Sequence, residues 1–384
     1  MNIFDSSVFY TRQRTHFRLI YLHSIKHFTI KRFLVGILYV LVLLSVGIIN
    51  IITRLLDELL FPNFKNITIK QPVFIISNPR SGTTFLHRLM CLDQEKYVYN
   101  LLYQSTFPSI TFYRIIQFFG SIDKKTPGKP LYKLLDFINS KFFSVWDEIH
   151  ATGFNKSEED EGVYFISGIS PSVGMLTPYL KNFRELFILD NIDDSTKDNI
   201  KKYYKTTIQR WMYALGSDKL LLNKTVMSSG RLDILHELFP DVKIIFLIRN
   251  PYEAIPSFTS MFTEMWKDLF KDIPENSPEY REWGELGIAY YKYFNEQKNN
   301  FKKENFITIP YTDLISEPKQ TVLKIYDQLK LETTPEFLER LENETNQARK
   351  YKSSHNYTLE QYGFEKEHIY NELKFIFDEF GFEK

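Results

Sequence analysis

The sequence predicts a three-layer α/β domain with a central, mainly parallel sheet. It also predicts a helical insertion and a hydrophobic helix ahead of the domain. Three observations carry this reading. Almost continuous apolar runs at residues 72–77 and 243–249 read as strands buried on both faces, as inside a parallel sheet. Helical stretches such as residues 231–239, stopped by Pro240, alternate with such runs. A third run, residues 33–52, carries no charge at all.

In chain order, residues 1–32 form a basic segment, with Arg12, Arg14, Arg18, Lys26, Lys31 and Arg32 against Asp5 alone, a net of +5. That bias favours a cytoplasmic amino terminus for a membrane protein. The 20 residues of 33–52 would span about 30 Å as a helix, the thickness of a bilayer's hydrocarbon core. A transmembrane or membrane-associated helix is therefore expected, in the simplest case a single pass, and the alternatives are a buried core helix and a helix lying on the membrane surface. The side of the membrane that holds the remaining chain stays open. Residues 53–65 read as an amphipathic connector, because Ile52, Leu55, Leu56, Leu59 and Leu60 recur at helical spacing.

Residues 66–384 form the main domain. Residues 306–311 give a weaker third strand and residues 220–223 a candidate fourth. Between the first strand and these lies a mostly helical insertion, 97–215, rich in Tyr and Phe. With 34 Phe and 24 Tyr in 384 residues, the composition suits an apolar pocket or a lipid contact. The net charge of +1 provides no overall field for nucleic acid. Cys91 is the one cysteine, which excludes an intrachain disulfide, and its apolar surroundings read as a buried thiol.

The chemistry is concentrated in residues 78–84, Asn-Pro-Arg-Ser-Gly-Thr-Thr, between the first strand and a helical pattern through Phe85, Leu86, Leu89 and Met90. A tight turn into a helix amino terminus aims backbone N–H groups and the helix dipole at one point, which suits an anion. Gly82 permits close approach. Ser81, Thr83 and Thr84 add hydroxyls, and Arg80 adds a fixed positive charge. The nucleotide-triphosphatase pattern GxxxxGK[ST] would need a Lys and a first Gly that this loop lacks, which disfavours ATP and metal-dependent phosphoryl transfer. Simple helix capping is the alternative, but capping needs only one such residue.

Residues 79–84 after an apolar strand resemble the 5′-phosphosulfate loop of sulfotransferases that use 3′-phosphoadenosine 5′-phosphosulfate (PAPS). The resemblance extends from about residue 60 to near the carboxyl end and is closest to the broad bacterial-type branch. It implies a P-loop-like fold, PAPS as co-substrate and no metal. The family's second signature, an Arg at a strand end and a Ser eight positions later, is matched by Arg249 and Ser257 and implies a grip on the 3′-phosphate. Lys224 falls where family members place a Lys beside the bridging oxygen of the phosphosulfate; a solvated surface Lys is the alternative. Arg349, Lys350 or Lys352 could close over the 3′-phosphate as a basic segment does in cytosolic members.

In cytosolic members a His follows two residues after that Lys; here Val226 stands there. The base must come from elsewhere. His150 ranks first because its side chain needs little tuning near neutral pH, and Glu159 second. Glu161 shares the same acidic run, whose ordinary reading is a solvated helix start. His87 and His355 are weaker, with His87 read as structural. The expected enzyme transfers a sulfo group to a hydroxyl, on a small-molecule or lipid acceptor, at a membrane, without nucleic acid. An atypical P-loop kinase and a catalytically inactive nucleotide-binding protein are the rivals.

Overall fold

The computed structural model describes residues 5–78, 80–142, 153, 156–157, 159–348 and 357–384. Five strands, β1 (Val73–Ser77), β2 (Tyr97–Val98), β3 (Leu220–Lys224), β4 (Lys243–Ile248) and β5 (Phe306–Pro310), form one sheet in the order β2-β3-β1-β4-β5. Every pairing is parallel: Val73 lies opposite Leu222 on one side and Lys243 on the other, and Ile244 opposite Phe306.

Strand side chains alternate between two cores, which makes the three layers. Phe74, Ile76, Ile244, Phe246 and Ile248 join a cluster with the helices Asp194–Leu215, Pro251–Thr263, Pro278–Gln297 and Lys366–Phe380. Val73, Ile75, Ile245, Leu247 and Ile309 face the helices Thr83–Met90, Pro318–Gln328 and Pro335–Ala348. All four expected strands are present. β2 is the strand that sequence patterning missed, since two residues cannot show a period. It occupies the start of the stretch read as insertion, and the helix Asp194–Leu215 at the other end of that stretch packs Tyr204 and Ile208 into the sheet's own core.

Strand order reverses about β1: the chain passes to β3 on one side of it and then to β4 on the other. The crevice beyond the carboxyl ends of β3, β1 and β4 is where open α/β sheets take ligands.

Ahead of the domain, one uninterrupted helix runs from Ile30 to Leu60, with Thr29 capping it by accepting from the Arg32 N–H at 3.2 Å. The expected boundary at residue 52 is absent, and residues 53–60 continue the same helix. The turn Pro62–Asn66 then leads toward β1.

Candidate active site

β1 is wholly buried, and its carboxyl end releases the chain into a turn in which Arg80 (φ +68°) and Gly82 (φ +87°) are left-handed. Arg80 holds that conformation against the usual steric penalty, a feature common in anion-binding turns. At Gly82 the backbone angle and the crowding both require glycine, since a Cβ would meet Leu314 Cδ2 at 3.1 Å and the Tyr311 ring at 3.2 Å. The helix Thr83–Met90 begins at once, so its first N–H groups, which lack intrahelical acceptors, open onto the crevice. Ser81 is fully buried, and its Oγ has no hydrogen-bond partner among the described residues. An orphaned buried hydroxyl in such a turn fits an absent anionic ligand.

β3 ends in Lys224, whose side chain is fully buried. Its Nζ donates to Thr84 Oγ1 at 3.0 Å and lies 3.3 Å from Glu159 Oε1. The solvated-lysine alternative is thereby removed. The other oxygen of Glu159 accepts the Val226 N–H at 3.3 Å. Glu159 therefore sits against the backbone of the residue that replaces the expected His.

Beyond β4, Arg249 donates from Nη1 to the Arg80 carbonyl oxygen at 2.8 Å and grips Glu253 through its other nitrogens at 3.0 and 2.8 Å. Its guanidinium lies 4.5 Å from the centre of the Tyr311 ring, and Tyr291 donates to its carbonyl oxygen at 2.7 Å. Asn250 caps the following helix, Pro251–Thr263, which brings Ser257 about 1.7 turns in. Arg80 Nε donates to Ser257 Oγ at 3.2 Å. Residues read from three separate segments thus touch one another: Arg80 with both Arg249 and Ser257, and Thr84 with Lys224.

Asp160 and Glu161 of the acidic run do not form a solvated helix start. Asp160 is fully buried and accepts from Tyr204 and, at 2.8 Å, from Asn223. Burial pushes its carboxyl up to about 6 despite the nearby Arg231 guanidinium. Glu161 is taken up by Arg231 at 2.7 Å and by Ser172 at 2.8 Å, and Arg231 stacks 3.5 Å over the Tyr164 ring. Both acids brace the wall behind Glu159. His87 is buried and packs edge-on to Tyr99, consistent with a structural part. Cys91 is buried, and that burial pushes its thiol up, away from reactivity. His150, His355, Arg349, Lys350 and Lys352 lie outside the described residues.

Sequence reading missed Tyr311, Tyr291 and Glu253. Tyr311 could have been suspected, because it follows β5 directly at the ligand-binding edge of the sheet. Tyr291, in the middle of the helix Pro278–Gln297, gave no signal.

Residues 72–335, which hold the loop, Lys224 and Arg249, match the profile of the Sulfotransferase family. The chain belongs to the sulfotransferase family. Two similar proteins, from Mycobacterium bovis and Mycobacterium tuberculosis strain CDC 1551, are each named omega-hydroxy-beta-dihydromenaquinone-9 sulfotransferase Stf3. Each is 23% identical to this sulfotransferase over 316 residues, covering 82% of this chain and 76% of the relative. Among solved structures, sulfotransferase STF9 from Mycobacterium avium superposes with a TM-score of 0.67 at 18% identity, covering 88% of this chain and 86% of that one. Sulfotransferase STF1 from Mycobacterium tuberculosis H37Rv gives 0.59 at 19% identity, covering 96% and 99%. At these identities the structural likeness supports the fold.

Proposed function

We propose that this sulfotransferase moves the sulfo group of PAPS to the hydroxyl of a hydrophobic, lipid-like alcohol. The observation that carries the donor reading is the meeting of the buried Lys224 with Thr84, on the first turn of the helix after the loop. A 5′-phosphosulfate seated on the loop would have the N–H groups of that turn and Ser81 Oγ on its phosphate, with Lys224 beside the bridging oxygen. Arg80, Arg249 and Ser257 form one cluster at the end of β4, where a 3′-phosphate would find two guanidinium groups and a hydroxyl.

Sulfo transfer needs positioning, charge neutralisation and a base. The acceptor oxygen forms a bond to sulfur as the bond from sulfur to the bridging phosphate oxygen breaks. The electron pair of that bond stays on the phosphate, where Lys224 neutralises the added charge. Glu159 takes the hydroxyl proton in this reading, with His150 as the other candidate. The products are a sulfate monoester and 3′-phosphoadenosine 5′-phosphate.

Two observations support a lipid-like acceptor. The Mycobacterium relatives are named for a menaquinone-derived alcohol. The helices Ile110–Lys125 and Pro130–Phe142 carry exposed apolar side chains such as Phe118, Phe119 and Phe137. Incubation of the full chain with labelled PAPS and a panel of long-chain, isoprenoid and sugar alcohols tests the assignment. Label is expected on the lipid alcohols; label on sugars alone would refute the acceptor and leave the donor standing.

A further inference from the structure

The helix Ile30–Leu60 is built inside out. Its polar side chains Arg32, Asn50, Thr53, Arg54 and Asp57 are buried against the rest of the chain. Its exposed positions from Phe33 to Leu60 are all apolar except Ser45. At 100° per residue the two sets occupy opposite sides of the cylinder. The exposed stripe is roughly 40 Å long, and Leu59 near its end is 71% exposed. Water alone gives no reason to turn such a face outward.

Both ends of the helix are fastened to the catalytic domain by polar contacts. Near the start, Arg32 donates to the Leu269 carbonyl oxygen at 2.8 Å and to Asp272 at 2.5 Å. Near the end, Arg54 donates to the Pro108 carbonyl oxygen at 3.0 Å and to Thr207 Oγ1 at 2.7 Å. Asp57 pairs with Arg210 at 3.0 Å and accepts the Ile110 and Thr111 N–H groups at 3.0 and 2.7 Å. From Arg32 to Asp57 these fastenings are separated by roughly 37 Å of helix. A spanning helix needs about that length clear of polar protein surface, yet here the amino-terminal segment also lies along its middle, with Ser24 against Gly36, His16 bonded to Tyr39 and Phe9 against Gly47.

The flanks are basic. Arg14, Lys26, Lys124, Lys125, Lys129 and Lys133 are exposed, and Asp5 and Asp136 are the exposed acids among the described residues of 5–32 and 110–140. Phe17, Phe28 and Leu134 stand exposed among them. Apolar side chains bordered by lysines suit a leaflet with anionic headgroups. A second copy of this chain would bring the same lysines face to face.

We propose that the protein lies on one leaflet of an anionic bilayer, with the helix Ile30–Leu60 in the membrane plane and not across it. Its apolar stripe enters the acyl boundary, and its polar side stays docked on the catalytic domain. Both helix ends are then on the same side of the membrane, and the catalytic crevice is held beside the lipid. The attachment stands or falls independently of the donor and acceptor assigned above.

The test uses the full chain with Cys91→Ser and one new cysteine, either Lys26→Cys or Asn66→Cys. Each protein is added to the outside of sealed vesicles of phosphatidylcholine and phosphatidylglycerol and treated with a membrane-impermeant maleimide. Both positions should label equally before detergent is added. Labelling of one position only after detergent would establish a span and overturn the proposal. The Leu41→Glu/Ile48→Glu double variant, changed only at exposed positions, should keep its circular dichroism and lose vesicle binding by about tenfold or more. Unchanged vesicle binding by the double variant would overturn the proposal. So would failure of the parent chain to bind vesicles while it forms a dimer that the double variant dissociates.

Discussion

Lys224 and Thr84 meet across the crevice, the lysine Nζ donating to the threonine Oγ1 at 3.0 Å. The contact joins the end of β3 to the first turn of the helix that follows β1, two segments 140 residues apart in the chain. It places a buried positive charge where the helix dipole also favours negative charge. On the proposed donor reading, a lysine there would stabilise a departing phosphate more than a bound substrate, so its effect would belong to turnover.

Lys224→Ala should therefore lower kcat about 100-fold to 1,000-fold while leaving 3′-phosphoadenosine 5′-phosphate affinity within a few-fold. Steady-state kinetics beside calorimetric titration separates the two. A fall in affinity that accounts for the whole loss would reassign Lys224 to ground-state binding.

Arg80 and Arg249 should act as one unit. Each single Ala variant is expected to weaken 3′-phosphoadenosine 5′-phosphate binding by roughly tenfold or more. Because Arg249 holds the Arg80 carbonyl oxygen at 2.8 Å, the double variant should lose less than the two effects combined. A double-mutant cycle by calorimetry measures the coupling, and strict additivity would contradict it.

Glu159→Gln should lower kcat about 100-fold or more while leaving 3′-phosphoadenosine 5′-phosphate affinity within a few-fold. A fall in affinity in step with the fall in kcat would assign Glu159 to positioning Lys224. The same pair of measurements on His150→Ala decides between the two candidate bases.

Asp160 gives a pH dependence of stability with a definite sign. Its folded-state carboxyl is raised to about 6 from the ordinary 3.8, chiefly by burial. The proton is bound more tightly in the folded protein, so the stability this group contributes is full below about pH 4 and is lost as pH rises through about 6. The term is on the order of 3 kcal/mol. Denaturation of Asp160→Asn beside the parent should show the difference moving in the variant's favour between about pH 4 and pH 7. A difference independent of pH would contradict the shift.

Asp57→Ala should destabilise the fold by about 3–5 kcal/mol. It takes from the fully buried Arg210 one of its two carboxylate partners, Glu58 at 2.7 Å being the other, and removes the acceptor of the first two N–H groups of the helix that begins at Ile110. Thermal and urea unfolding measure the loss.

The loop, Lys224 and Arg249 were legible as candidates because each lies at a strand end, where a run of buried apolar residues stops abruptly at polar ones. Ser81, Gly82 and Arg80 carry their chemistry in residue type and spacing alone. Their contacts with Lys224, Arg249 and Ser257 depend on the parallel pairing of β1 with β3 and β4, which no local pattern reports. The acidic run misled for a related reason. Consecutive acids ordinarily face water, but Asp160 and Glu161 have Asn223, Tyr204 and Arg231 brought to them by distant segments. The helix Ile30–Leu60 was legible as apolar. Its inverted burial was not, because the partners of Arg54 and Asp57 come from residues 106–111 and 206–210.

The most direct test of the central claim is transfer of labelled sulfate from PAPS to a lipid alcohol by the purified full chain in the presence of a metal chelator. The account predicts a labelled sulfate ester, lost in Lys224→Ala and in the Arg80→Ala/Arg249→Ala double variant. Ester formation that persists in both variants, or transfer of phosphate from ATP in place of sulfate from PAPS, would contradict it.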